Sequence, residues 1–157
     1  MVGEGAIDFD AAASSDRILT RTGTQAAYIA ASRWVAPAAT LFEEALNRSF
    51  ERTPGAPHLA RRGGLVGAPL MLTLDVQAFE VRYDQGGGAA PEVEVRVHAM
   101  LVRPSNRSLA AERTFTTEVP ASVNRVGPIV ESFQTAVQKT LADLIAWTTA
   151  VAGSQAG

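Results

Sequence analysis

A chain of 157 residues, 46% of them hydrophobic and with a net charge of -2, can bury roughly two-thirds of its unfolded surface in one domain. Its lysines and arginines are scattered and its pI is near 5.7, so it has no basic stripe for a phosphate backbone and nucleic acid is not an expected partner. Cysteine is absent, which removes disulfides, thiolate catalysis and zinc-thiolate sites, and no apolar run approaches the roughly 18 residues of a membrane span.

The start, residues 1–15, carries Gly3 and Gly5 ahead of a short alternation at Ala6-Ile7-Asp8-Phe9-Asp10, and is expected to be a frayed, poorly ordered first strand. Asp16-Arg17-Ile18-Leu19-Thr20-Arg21 reads as a strand, and a tight turn at Gly23 pairs it with residues 25–32. That second strand stops at Trp34 and becomes an amphipathic helix. Pro37 sets a helical φ and has no N–H to lose, so it suits the first turn, and Leu41, Phe42, Ala45, Leu46 and Phe50 then recur at helical spacing. Glu43, Glu44, Asn47, Arg48 and Glu51 fall mostly on the wet side.

Thr53-Pro54-Gly55-Ala56-Pro57 ends the helix near Arg52. Residues 58–61 then suit a short edge strand, and Arg61-Arg62-Gly63-Gly64 reads as a mobile, solvated loop. In 70–83 the apolar positions are first even (Leu70, Leu72, Leu74, Val76) and then odd (Phe79, Val81, Tyr83), a phase switch that predicts a β-bulge near 77–79. A glycine-rich connection over 84–91 leads to 92–103, where Val93, Val95, Val97, Ala99 and Leu101 share one face and Glu92, Glu94, Arg96 and His98 the other. Leu109, Ala111, Phe115 and Val119 continue the meander after a turn at 104–107.

Pro128 marks a second helix start, with Ser122 and Asn124 as caps, and an apolar stripe from Ile129 to Trp147 predicts about 22 residues spanning roughly 33 Å. The tail, 151–157, is expected to be poorly ordered. The whole reads as an α+β fold: a two-layer, curved antiparallel or mixed sheet with two amphipathic helices packed on one face.

Catalytic chemistry finds little footing in this pattern. His58 and His98 are the only near-neutral bases, with no carboxylate–histidine spacing like a triad, and Glu92 with Glu94 reads as a solvated or Arg96-paired couple. Trp34 and Trp147 suit core plugs at the helix ends. Met71 and Phe79 suit an apolar patch outside the two-layer core, either a docking face or a lipid groove.

Taken in order, Asp16-Arg17-Ile18-Leu19, Tyr28 with Arg33-Trp34 and Pro37, Leu41 and Leu46, Leu74-Asp75-Val76 with Phe79-Glu80, Phe115, and the closing Leu141-Ala142-Asp143-Leu144-Ile145-Ala146-Trp147 resemble the ABC-type transport auxiliary lipoproteins, which include the lipoprotein of the paraquat-inducible operon. The resemblance runs from about Ala6 to Thr148 and treats 1–157 as a single domain. It implies a noncatalytic periplasmic subunit of an MCE/Mla-type ABC transporter, moving phospholipid or other hydrophobic cargo across the cell envelope. It also implies a lipid anchor, usually in the outer membrane, and an MCE-domain protein with its permease and ATPase as partners. No catalytic residue, metal or cofactor is carried over. Arg33, Trp34, Pro37, Phe79 and Trp147 are the motif and docking candidates, and a homo-oligomer is allowed. The chain lacks the lipobox cysteine and signal peptide, so the expectation is a soluble part of an anchored protein, with Met1 supplied for expression. A stand-alone periplasmic lipid or small-molecule carrier is the alternative. An envelope hydrolase using His98 or Glu94 is a third reading.

Overall fold

The computed structural model describes residues 1–61, 67–84 and 89–155. In chain order the elements are β1 (Val2–Phe9), β2 (Arg17–Thr22), β3 (Gln25–Arg33), α1 (Ala38–Arg52), β4 (Leu59–Ala60), β5 (Met71–Arg82), β6 (Glu92–Arg103), β7 (Ser108–Pro120) and α2 (Val126–Gln155). The sheet is mixed. β5, β6 and β7 form an antiparallel meander, while β1 and β2 lie one after the other along the second edge of β5, both parallel to it. β4 continues outward from β1, and β3 from β2. The glycine-rich connection and the Arg61-Arg62-Gly63-Gly64 loop fall largely outside the described residues.

Alternation decides which side of each strand is dry. On β6, Val93, Val95, Val97, Ala99 and Leu101 are completely buried beneath the helices. On β5, Leu72, Leu74 and Val76 are buried, the register slips between Val76 and Ala78, and Phe79 and Val81 take over. The predicted bulge is there, and by turning Phe79 inward it separates that ring from Met71, which stays exposed on the opposite face. The expected Met71–Phe79 patch therefore does not form. A second bulge, between Leu101 and Val102 opposite β7, likewise turns Leu109 outward from the row of Ala111 and Phe115.

α1 starts immediately after Pro37, which serves as its N-cap, and buries Phe42, Leu46 and Phe50 as the periodicity requires. Asn47 departs from the expected wet face: it is buried, donating to the Glu43 carbonyl at 2.9 Å and to Glu4 Oε1 at 3.4 Å, which satisfies a polar pair inside the layer contact. α2 is longer than the stripe predicts, 30 residues or about 45 Å. It begins two residues before Pro128, because the missing proline N–H would have no partner in a first turn anyway. Asn124 does not cap it; its Oδ1 accepts the Tyr83 hydroxyl at 2.8 Å.

Both ends differ from the frayed segments expected of them. Val2 is fully buried in β1, held between β4 and β5, so the first residues are an inner strand. At the other end α2 continues to Gln155, because Val151 and Ala152 still pack on the core and Gln155 Oε1 accepts from Arg103 Nη2 at 2.7 Å.

Candidate functional site

The two helices lie on one face of the sheet without closing over it. Between them runs a groove of about 690 Å³, within the roughly 300–1,000 Å³ range of small-molecule sites. Its floor is a chain of rings. Phe133 of α2 stands edge-on to Trp34 at 5.1 Å and tilts onto Phe79 at 4.9 Å, and beneath the floor Phe9 links Phe79, at 5.4 Å, to Phe42, at 6.0 Å. Trp34 is half-buried, and Val35 beside it is almost wholly exposed (97%) at the mouth.

Trp34 reaches this place through an irregular strand. Between the pairs Leu19–Tyr28 and Arg17–Arg33 the chain takes two steps along β2 but five along β3, and Ala31 absorbs the excess at φ 58°. A left-handed alanine is strained, and here the strain sits in the segment that delivers Arg33 and Trp34 to the groove.

Of the five residues singled out in the sequence, Arg33, Trp34 and Phe79 line this groove. Pro37 is the adjacent N-cap, and Trp147 is elsewhere, half-buried with its ring 5.8 Å from Phe115 of β7. What the sequence did not reveal are the residues of the facing walls, Ala38, Ala45 and Ser49 on α1 and Val130 and Val137 on α2. Their helical spacing was legible, but whether two stripes meet or stay apart is set by the sheet beneath.

The opposite face of the sheet carries the charges. Glu80 and Glu94 are nearly buried there, satisfied by arginines: Arg21 Nε and Arg82 Nη1 donate to Glu80 at 3.1 and 2.9 Å, and Arg96 Nη1 donates to Glu94 at 3.2 Å. Asp84 takes a 2.8 Å bond from Arg82 Nε and another from the Gly23 N–H, which together hold its carboxyl below the usual range; the bond to Asp84 in turn raises the Arg82 guanidinium. Tyr83 is pushed up by burial. A row of Met71, Val102 and Leu109 crosses the far end of this face, with Met71 and Leu109 exposed.

Glu92 titrates above the ordinary glutamate range, first through desolvation and then through its hydrogen bond and repulsion with Glu118. Its protonated form is the one the fold favours. That contribution is complete below the ordinary glutamate pKa and is lost as the pH rises through the raised one. Glu118→Gln is expected to leave the urea midpoint unchanged at acid pH and to raise stability by roughly 0.5 kcal/mol at neutral pH, measured by paired unfolding curves.

The sheet also assembles a constellation that sequence spacing hid. His98 Nδ1 lies 2.8 Å from Thr114 Oγ1 and its Nε2 3.1 Å from Glu112 Oε2, a hydroxyl, imidazole and carboxylate in line across β6 and β7. The three stand on an open sheet face and line neither described cavity.

A family model described as the ABC-type transport auxiliary lipoprotein component matches residues 5–146. The chain belongs to the ABC-type transport auxiliary lipoprotein family. Protein XCC0632 of Xanthomonas campestris shares this family member's fold at TM-score 0.90 and 23% identity, over 99% of this chain and 87% of that one. The hypothetical protein CT253 of Chlamydia trachomatis aligns at TM-score 0.60 and 9% identity, over 95% and 97% of the two chains. PelC of Paraburkholderia phytofirmans, crystallised as a dodecamer, aligns at TM-score 0.50 and 15% identity, over 94% and 86%. No curated protein matches the chain. Among the described residues, no helix of this family member is long and apolar enough to cross a membrane.

Proposed function

We propose that the protein is a noncatalytic subunit of an MCE/Mla-type ABC transporter, working as one domain in the periplasm and tethered to a membrane, usually the outer one, by a lipid anchor. The match of residues 5–146 to a transport auxiliary component carries this reading. The groove supports it, being an open apolar surface rather than an enclosed reaction site. Its role is to dock on the MCE-domain protein, with permease and ATPase beyond, and to help hydrophobic cargo such as phospholipid cross the envelope. Arg33 and Trp34, at the rim of the groove, are the proposed contact residues, supported from beneath by Phe79, with Pro37 fixing the angle at which α1 leaves Trp34. An assembly of several copies belongs to the proposal, since PelC, which shares the fold, is a dodecamer. The groove also favours a second reading, a carrier that holds cargo by itself.

Pull-down of the lipid-anchored protein from cell envelopes, followed by mass spectrometry, tests the proposal. Recovery of an MCE-domain protein with its permease and ATPase is expected. Repeated recovery of unrelated cytosolic proteins, with none of those three, would overturn it.

A further inference from the structure

We infer that the groove between α1 and α2 binds a single anionic amphiphile, its acyl chain along the aromatic floor and its charged head at Arg48 and Arg52. The inference rests on the transport reading for its biological setting and on the groove's own lining for its chemistry.

The walls explain why space remains. On α1 the groove stripe is Ala38, Leu41, Ala45, Arg48, Ser49 and Arg52, and on α2 Val130 and Val137 face the cavity with Gln134 and Gln138. Alanine, serine and valine are too short to interdigitate across it as larger side chains would in a closed helix pair. From Ala38 to Arg52 the stripe is about 21 Å long at ~1.5 Å per residue. One leaflet of hydrocarbon is about 15 Å deep, half of a ~30 Å core, so an extended acyl chain fits with length to spare for a head.

Charge selects the head. The chain's net charge is -2, yet the groove lining has three arginines and no aspartate or glutamate. Arg33 is matched by Asp16 at 3.2 Å. Arg48 and Arg52 are exposed and make no ion pair among the described residues. They stand four apart on one helix, neighbours on its surface, so two guanidinium forks can reach one phosphate or carboxylate. An apolar floor leading to two unmatched guanidinium groups suits a lipid with an anionic head. A neutral lipid would leave both arginines unused.

The test uses Trp34 as reporter. Trp147→Phe leaves it the only indole, since the chain has two tryptophans and Trp147 lies outside the groove. Monomeric lysophosphatidylglycerol and lysophosphatidylcholine with the same acyl chain are titrated in parallel, and native mass spectrometry of the unsubstituted protein gives the stoichiometry. Saturable one-to-one binding that shifts Trp34 emission is expected, about tenfold or more tighter for the anionic lipid. Arg48→Gln with Arg52→Gln abolishes that preference without changing the unfolding midpoint, because both side chains are exposed. Equal affinity for the two lipids, no saturable binding, a preference indifferent to the two arginines, or equally tight binding of free glycerol phosphate would each overturn the inference. None of these bears on recovery of an MCE-domain protein from envelopes, so the two readings fail separately.

Discussion

Phe133→Ala is expected to lower the unfolding free energy by about 3–5 kcal/mol. Phe133 is 2% exposed, and its ring touches both Trp34 at the start of the β3–α1 connection and Phe79 on β5. Through Phe79 and Phe9 the contacts extend to Phe42 of α1. Removing it leaves a void where α2, α1 and the sheet meet, and each lost ring pair adds roughly 0.5–1.5 kcal/mol to the area term. Urea unfolding followed by far-UV circular dichroism measures it. Phe115→Ala is the comparison: Phe115 is also buried but, among the described residues, has only Trp147 as a ring neighbour, so its loss should be smaller. Equal losses would mean that the aromatic chain adds nothing beyond ordinary burial.

The second large effect is expected at Gly5, where alanine costs about 1–3 kcal/mol. A Cβ there would stand 2.7 Å from Thr73 Oγ1 and 3.0 Å from both the Leu72 carbonyl and Met71 Cγ. β1 is irregular at this point, its register against β5 slipping between Glu4 and Ile7, and the glycine lets the two backbones approach. The cause is steric rather than conformational, since Gly5 is not among the positive-φ glycines. Thermal unfolding of Gly5→Ala with and without Thr73→Ala separates the contributions. Thr73→Ala should recover part of the loss, and the Leu72 carbonyl keeps the rest. Full stability in Gly5→Ala would show that β1 does not hold this register.

These two positions show what a linear reading can recover. Pro37, the alternation of β6 and the phase switch at Gln77 are local patterns, and the structure carries all three. Gly3 and Gly5 have the composition of a frayed start, and only the presence of β5 alongside them gives them a reason. Asn47 looks wet until Glu4 arrives from another element. His98 acquires Thr114 and Glu112 through cross-strand pairing, which no spacing within β6 could reveal. The groove was half legible: Trp34 and Phe79 stood out as aromatics, whereas Arg48 and Arg52 looked like any solvated helix face. Their meaning depends on the lack of acidic neighbours across the cavity, a property of two helices together.

The tandem arrangement of β1 and β2 on one edge of β5 also dictates an order of events. β5, β6, β7 and α2 follow one another in the chain and in space, so that half can assemble through short connections. β1 precedes its parallel neighbour β5 by a long stretch of chain, since β5 begins only at Met71. Until β5 is in place Val2 and Ile7 have no sheet to join, and closing the long intervening loop must precede any gain from pairing. β1 is therefore among the last strands secured, and docking it, rather than collapse of the meander, should set the folding rate.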